Sequence, residues 1–255
     1  MISKVVVFLS ILVTVALSID YCEDYLCEGR KHIGCKNDGK FGKSCPPNAE
    51  LIKFTDKLKT LALSTHNNYR NQIALGEIKG YDKAARMATL VWHDELAKLA
   101  EYNVRTCTFG HDECRNTDKF PYAGQNLGIL IKKKTFPTPE EMIKKITKGW
   151  FDEYADADKN IMKSYQPNGK MIGHFTQLVR DQAFAVGCAM IKFKSGEYST
   201  IYGCDYSLTS IKSYPIYDTS SKPASNCTKG AHKQFKGLCS INEIYDNNDL
   251  FYSYD

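Results

Sequence analysis

Ten cysteines constrain the fold of this 255-residue chain more than any other feature of its sequence. All ten follow residues 1–18, where Lys4 precedes an apolar run and Ala16-Leu17-Ser18 forms a small-x-small cleavage signal. An even number of cysteines behind a secretory signal peptide is typical of an extracellular protein stabilised by disulfides. We therefore expect a secreted, extracellular chain whose mature form begins near Ile19 or Asp20.

The cysteine pattern also argues against two kinds of chemistry. Zinc ribbons need paired Cys-x-x-Cys ligands, and the sequence contains none. If every cysteine is paired, no thiol remains as a nucleophile, which disfavours a cysteine hydrolase. The residues alone leave the connectivity open, because an even set of cysteines can pair in many ways.

Charge and hydropathy narrow the class of partner. The formal net charge is +5, and basic and acidic residues are interspersed along the chain. The one basic run, Lys132–Lys134, is short and predicts a solvated loop rather than a nucleic-acid surface. Residues 1–18 are too short for a membrane span, and no later stretch of 18 apolar residues follows. We expect a soluble monomer that binds neither nucleic acid nor membrane.

Apolar residues at helical spacing predict a helix over 50–75 and another over 95–105, with Asp94 as the N-cap of the second. Thr55 or Ser64 is a candidate N-cap for part of the first helix, and Thr138 followed by Pro139 predicts the start of a third. On the first helix, His66 lies one turn before Arg70. We interpret His66 as a hydrogen-bonded structural histidine, because no second ligand stands nearby at metal-binding spacing.

Strands are predicted over 125–131, 184–193 and 198–206, and the last two flank a turn at Gly196 as a hairpin. Helices on both sides of a small, mainly antiparallel sheet predict an α+β protein, a three-layer α-β-α sandwich. We divide the chain into a signal peptide, a cysteine-rich N-terminal arm, a central domain and a loop-rich C-terminal extension: residues 1–18, 19–48, 49–212 and 213–255.

Four short motifs resemble the signature segments of one secreted superfamily. They are Gly110-His-Asp-Glu-Cys114, Gly124-Gln-Asn-Leu127, Trp150-Phe-Asp-Glu153 and Gly173-His-Phe-Thr-Gln177. That superfamily, called CAP, joins cysteine-rich secretory proteins, antigen-5 and pathogenesis-related proteins. The cysteine-rich start of the mature chain resembles the antigen-5 branch. The additional C-terminal cysteine pair is similar to that of salivary and venom allergens of biting flies.

The resemblance implies the three-layer CAP fold and a set of disulfides. The implied pairs are Cys22–Cys35, Cys27–Cys114, Cys45–Cys107 and Cys188–Cys204, which leaves Cys227–Cys239 as the fifth. Independently of the family, the sequon Asn226-Cys227-Thr228 predicts N-glycosylation at Asn226.

The resemblance also implies a central cleft in which two histidines and two acids meet. Here these positions are His111, His174 and Glu153, with Gln125 where many relatives have glutamate. A neutral amide can orient or hydrogen-bond another group, but it cannot serve as an acid or a base. We therefore expect no enzymatic activity.

Three interpretations of this cleft remain open. His111 and His174 could be ligands of one divalent metal such as zinc, supported by Glu153 and Gln125, although no metal is required for the fold. The second interpretation is hydrolysis. Because the sequence has no Gly-x-Ser-x-Gly and no His-Glu-x-x-His, metal-activated water is the route left for it. The third interpretation is structural, with buried polar groups satisfying one another.

Two hypotheses of function follow from the resemblance to antigen-5. The first is a non-enzymatic binding protein and allergen, recognised by IgE, that carries fatty acids, eicosanoids or sterols between the helices 50–75 and 138–153. Its alternative is that the apolar faces of these helices simply fill the core. The second is an inhibitor of host haemostasis or cell adhesion that binds host proteins. Arg-Gly-Asp is absent, and Val179-Arg-Asp181 lacks the glycine, so integrin blockade through that tripeptide is disfavoured.

Overall fold

The centre of the fold is a hairpin of two long strands, β4 (Ala185–Ser195) and β5 (Glu197–Tyr206). Its turn is Gly196, whose φ of 74° lies in the left-handed region that glycine adopts without strain. The computed structural model describes residues 20–247, so the predicted signal peptide lies outside the described residues. The hairpin confirms the strand prediction, and Cys188 lies directly opposite Cys204 in it.

Three further strands complete the sheet. The strand order is β1-β4-β5-β3, and β1 (Glu50–Ile52) and β3 (Gly124–Lys132) both pair antiparallel. The two-residue strand β2 (Val91–Trp92) pairs with the start of β4 in parallel. The sheet is therefore mainly antiparallel.

The six α-helices of the described chain and one 3₁₀ turn surround this sheet. Their bounds are α1 Asp24–Cys27, α2 Asp56–Ala74, α3 Asp94–Val104, α4 Pro139–Asp152, α5 Lys159–Lys163 and α6 Gly173–Leu178, with the 3₁₀ turn at Glu153–Asp156. Between residues 20 and 247, no helix is both long and apolar enough to cross a membrane.

Strand alternation divides the helices into two layers. Met190 and Tyr202 belong to the buried cluster that contains α2 and α4, whereas Ala189, Ile191 and Ile201 pack with α3. Successive side chains of a strand point to opposite faces, so one apolar hairpin supplies both cores. The three-layer α-β-α sandwich is confirmed.

The structure confirms the predicted N-caps Thr55 and Thr138 but not the predicted N-cap Asp94. Thr55 accepts a hydrogen bond from the Leu58 backbone N–H at 3.4 Å, and Thr138 accepts one from Glu141 at 3.1 Å. The prediction for Asp94 is wrong, because Asp94 is the first residue of α3 and follows an N-cap at His93. The carboxylate of Asp94 instead accepts hydrogen bonds from Lys59 of α2 and from Trp92, two residues before it in the chain.

Five disulfides join all ten cysteines: the four pairs that the family resemblance implies and the remaining pair, Cys227–Cys239. Two of them connect the N-terminal arm to the loop that follows α3. Cys45–Cys107 holds the start of that loop, and Cys27–Cys114 holds it seven residues later. The arm therefore clamps the segment that carries His111.

The C-terminal extension is irregular but contributes to the main core. Ile216, Tyr217, Phe235 and Leu238 are all buried in the cluster beneath α2 and α4. The backbone N–H of Cys239 donates to the Met87 carbonyl at 2.8 Å. These residues pack as part of the central body and not as a separate unit.

Arg70 on α2 is a buried charged residue, and its guanidinium needs hydrogen-bond acceptors in the core. Its side chain is fully buried and donates six hydrogen bonds, of 2.7 to 3.2 Å, to backbone carbonyl oxygens. One acceptor is Ala88, and the others lie in residues 178–183, between α6 and β4. Burial lowers the pKa of the Arg70 guanidinium to about 10, so it stays charged at neutral pH.

His66 is also fully buried, one turn before Arg70, as the structural interpretation requires. Its Nδ1–H donates to the Ala62 carbonyl at 2.8 Å, and its Nε2 accepts from the Tyr206 hydroxyl at 2.9 Å. Burial, aided by the nearby positive charge of Arg70, lowers the pKa of His66 to about 4. The imidazole is therefore neutral in the folded protein.

We expect Arg70→Met to destabilise the fold by about 3–5 kcal/mol, because the inward-facing carbonyls lose their donors. Urea unfolding at pH 7 measures this difference. The matched control on the same helix is Lys57→Met, whose side chain is 80% exposed and whose loss should change stability by under about 0.5 kcal/mol. Equal losses in the two variants would contradict the role of Arg70.

Acid should destabilise the protein through His66. The unfolded chain binds a proton at this histidine below about pH 6.5, while the folded chain resists protonation down to about pH 4. Stability present at neutral pH is therefore lost as pH falls through this window, by about 3 kcal/mol at pH 4. Urea unfolding of wild type and His66→Phe between pH 7 and 4 tests this. The variant should show a correspondingly shallower decline, and parallel curves would refute the assignment.

Candidate metal centre

A cleft of about 260 Å³ opens where α6, the loop after α3 and the start of β3 meet. His111, Gln125 and His174 all line it. The segments that carry them are far apart in sequence, and the structure brings together the histidines that the resemblance pointed to. Their surroundings differ, and that difference determines what each imidazole can do.

His174 is fixed by Glu153, which ends α4. The Nδ1–H of His174 donates to Glu153 Oε1 at 2.6 Å. The other carboxylate oxygen accepts the backbone N–H groups of His174 and Phe175 at 3.0 and 3.1 Å. The His174 ring also stacks on Trp150, with centroids 6.1 Å apart. With Nδ1 protonated, Nε2 of the neutral ring carries the lone pair.

His111 is fixed by an amide instead of a carboxylate. Its Nδ1 lies 2.7 Å from Gln125 Oε1, and the Gln125 Nε2 donates to Asp112 and Asp205 at 2.8 and 2.9 Å. The carboxylate of Asp112, which pairs with Arg115, can only accept hydrogen bonds, so the amide nitrogen faces the acids and the amide oxygen faces the histidine. His111 therefore donates through Nδ1, and in the neutral form of the ring Nε2 carries the lone pair.

The two acids behind Gln125 share one cation. Asp112 forms an ion pair with Arg115 at 2.8 Å, and Asp205 lies 4.0 Å from the same guanidinium. Asp205 is fully buried, and burial holds the pKa of its carboxyl well above the usual range. Its Oδ2 has no hydrogen-bond partner within residues 20–247.

Sequence reasoning identified Gln125 but missed Asp112 and Asp205. The signal for Asp205 is a charged residue among the buried positions near the end of β5, where it lies directly opposite Gln125 of β3. A buried acid without a neighbouring base in its own strand must find a partner across the sheet. The signal for Asp112 was weaker, because an acid in a polar loop is ordinarily solvated.

Polar side chains tie the cleft to the core. Asn126 donates to the His174 carbonyl at 3.0 Å and contacts the Tyr206 hydroxyl at 3.4 Å, which in turn bonds His66. Gly124 allows α6 to approach β3, because a Cβ there would lie 2.2 Å from Gln177 Oε1. His111 and His174 are thus held by Gln125 and Glu153, and each of these side chains makes further hydrogen bonds that fix its own position.

The donor set fits a weak two-imidazole metal site. Each histidine has its Nδ1 engaged by an oxygen acceptor, the arrangement that orients metal-binding imidazoles. Among residues 20–247, His, Cys, Asp and Glu side chains form no group of three or more able to hold a metal ion. A divalent ion bound here would use two nitrogen ligands and complete its coordination with water.

The structure favours the core-filling alternative for the helices α2 and α4. Tyr69 of α2 stacks on Phe151 of α4 with ring centroids 4.4 Å apart. Leu58, Met142 and Ile143 are buried in the same cluster. The apolar side chains of the two helices therefore meet one another where the sequence suggested a lipid channel.

Two surface features bear on other predictions. Arg180 and Asp181 are 2% and 4% exposed, so the tripeptide that contains them is not displayed for adhesion. Asn226 is exposed, and Thr228 of its sequon donates to Glu243 at 3.1 Å. Glycosylation at Asn226 stays a prediction.

The chain is similar to proteins named as venom and antigen-5 allergens. It is 40% identical to Venom allergen-1 of Aedes aegypti over 227 residues, covering 88% of each chain. It is 41% identical to the Antigen 5 like allergen Cul n 1 of Culicoides nubeculosus, covering 76% of this chain and 92% of that one. Tabinhibitin 3 of Tabanus yao is 31% identical over 95% of both chains.

Solved structures show the same fold. The crystal structure of NaASP2 with Zn²⁺ superposes with a TM-score of 0.60 at 25% identity, covering 77% of this chain and all of that one. BmVAL-1 gives a TM-score of 0.60 at 20% identity over 77% of this chain and 98% of that one. Residues 63–206 match the Cysteine-rich secretory protein family, CAP. The chain therefore belongs to the CAP family and is similar to its antigen-5 and venom-allergen members.

Proposed function

We propose that this chain is a secreted, non-enzymatic binding protein of the antigen-5 kind whose cleft binds one divalent metal ion, such as zinc, through His111 and His174. The observation that carries the proposal is the engagement of both Nδ1 atoms by Gln125 and Glu153. It leaves a lone pair on each Nε2 in residues that line one cleft. The structural relative NaASP2 with Zn²⁺ supports the choice of metal.

The geometry supports binding more than catalysis. A metal-dependent hydrolase needs a free base to take a proton from bound water. Glu153 already accepts three hydrogen bonds, from the His174 ring and two backbone N–H groups. Gln125 is an amide and cannot accept a proton at neutral pH. Neither Glu153 nor Gln125 is therefore a free base that could take a proton from bound water in a hydrolytic reaction.

Zinc titration of the metal-free, secreted protein tests this function. We expect one zinc per chain by calorimetry and native mass spectrometry, with loss of binding of at least a hundredfold in His111→Ala and His174→Ala. Glu153→Gln should weaken binding ten- to hundredfold, because the carboxylate that orients His174 is lost. His232→Gln, outside the cleft, is the control. Uptake that is unchanged in both alanine variants would refute the site.

A second candidate is inhibition of a host protein in haemostasis or adhesion. The similarity to Tabinhibitin 3, at 31% identity over 95% of both chains, favours it. The burial of Arg180 and Asp181 means that recognition would use another surface. Platelet aggregation in the presence of micromolar protein measures this activity, and unchanged aggregation would argue against it.

Native mass spectrometry also addresses the lipid-carrier hypothesis. A fatty acid, eicosanoid or sterol retained after dialysis would add its mass to that of the chain. The packing of Tyr69 on Phe151 gives such a ligand no support between α2 and α4. We therefore rank lipid carriage below metal binding.

A further inference from the structure

We propose that Asp112 and Asp205 are positioning residues that lock the Gln125 amide in one orientation and thereby fix the tautomer of His111. The inference deepens the proposed metal site, since the locked tautomer is the one that leaves Nε2 free for a ligand. It concerns the chain itself, however, and can be tested without metal.

The lock follows from the asymmetry of an amide. One end of Gln125 can only donate, and the other can only accept. Its Nε2 lies 2.8 Å from Asp112 Oδ2 and 2.9 Å from Asp205 Oδ1, so each of its two N–H groups has an acceptor. A flipped amide would turn its oxygen toward both acids and leave them without those donors. In a site this buried, that loss is costly.

The orientation of the amide decides the proton position on His111. With Oε1 at 2.7 Å, the ring must donate through Nδ1. A flipped Gln125 amide would present its own Nε2–H to the ring. His111 would then accept that hydrogen bond at Nδ1 and carry its proton on its ring nitrogen Nε2. With its proton on Nε2, His111 would have no lone pair there for a ligand. The two acids thus act on the His111 ring through Gln125 and not through a hydrogen bond of their own.

The same acids account for the amide at a position where many relatives carry glutamate. Among residues 20–247, Arg115 is the cation that forms ion pairs with Asp112 and Asp205, and Asp205 is fully buried. A glutamate at position 125 would place a third acidic group within hydrogen-bond distance of both, around the same guanidinium. Glutamine supplies the oxygen that His111 needs while also donating to the acids.

Nitrogen NMR of ¹⁵N-histidine-labelled, metal-free protein tests the lock. In the wild type we expect the His111 Nε2 to show the shift of a lone-pair nitrogen and Nδ1 that of a protonated one. In the double variant Asp112→Asn with Asp205→Asn, both neighbours can donate or accept, so Gln125 is free to flip. The fraction of the Nε2–H tautomer should then rise at least tenfold.

A matched control and a rescue separate this role from a general structural one. Glu113→Gln removes a carboxylate from the same loop, but Glu113 bonds the Lys31 backbone and not Gln125. It should leave the His111 tautomer unchanged. Adding Gln125→Glu to the double variant should restore the wild-type tautomer, because a carboxylate has no N–H to turn toward His111 and can accept from the two new amides.

The outcomes are distinct from those of the metal titration. A wild-type His111 with its proton on Nε2 would overturn the lock, whether or not the double variant folds. A folded double variant with the wild-type tautomer would also overturn it. If the NMR result is as expected but zinc fails to bind, the lock stands and the proposed metal function falls.

Discussion

The guanidinium of Arg70 is the interaction on which the body of the fold depends. Residues 178–183 connect α6 to β4 with carbonyls turned toward buried Arg70, and buried carbonyl groups need a hydrogen-bond partner. The guanidinium of Arg70, with five N–H donors, supplies these carbonyls with the hydrogen bonds that neighbouring backbone N–H groups provide in a regular helix or sheet. Because this segment begins where α6 ends, Arg70 fixes the helix that carries His174. The support of the cleft therefore starts in the core of α2.

The cleft applies two solutions to one problem, which is to hold an imidazole by a hydrogen bond from its Nδ1–H. For His174 a carboxylate suffices, since Glu153 also accepts the first backbone N–H groups of α6. For His111 a carboxylate would meet Asp112 and Asp205, so an amide stands there instead. The local charge thus explains why the two positions differ.

Local patterns predicted the parts of the fold that local physics decides. The hairpin, the caps at Thr55 and Thr138, and the structural role of His66 follow from periodicity, turn chemistry and the lack of a neighbouring ligand. The Asp94 carboxylate does not cap α3, because it accepts hydrogen bonds from Lys59 across a tertiary contact and from Trp92 two residues before it. Asp205 was missed for a similar reason. It meets Gln125 only after residues 80 apart are paired by the sheet.

The two segments that carry His111 and His174 are each held in place by contacts of their own. The geometry of the cleft therefore does not depend on the rest of the surface. The His111 loop is held by Cys45–Cys107 and Cys27–Cys114, and Asn103 of α3 donates to Asp112 at 2.9 Å. The α6 segment is held by Asn126 and by the Arg70 contacts. Loops outside these clamps can change without moving the two imidazoles. A fold built in this way can keep its cleft while its partners vary, which is how one scaffold comes to serve different functions.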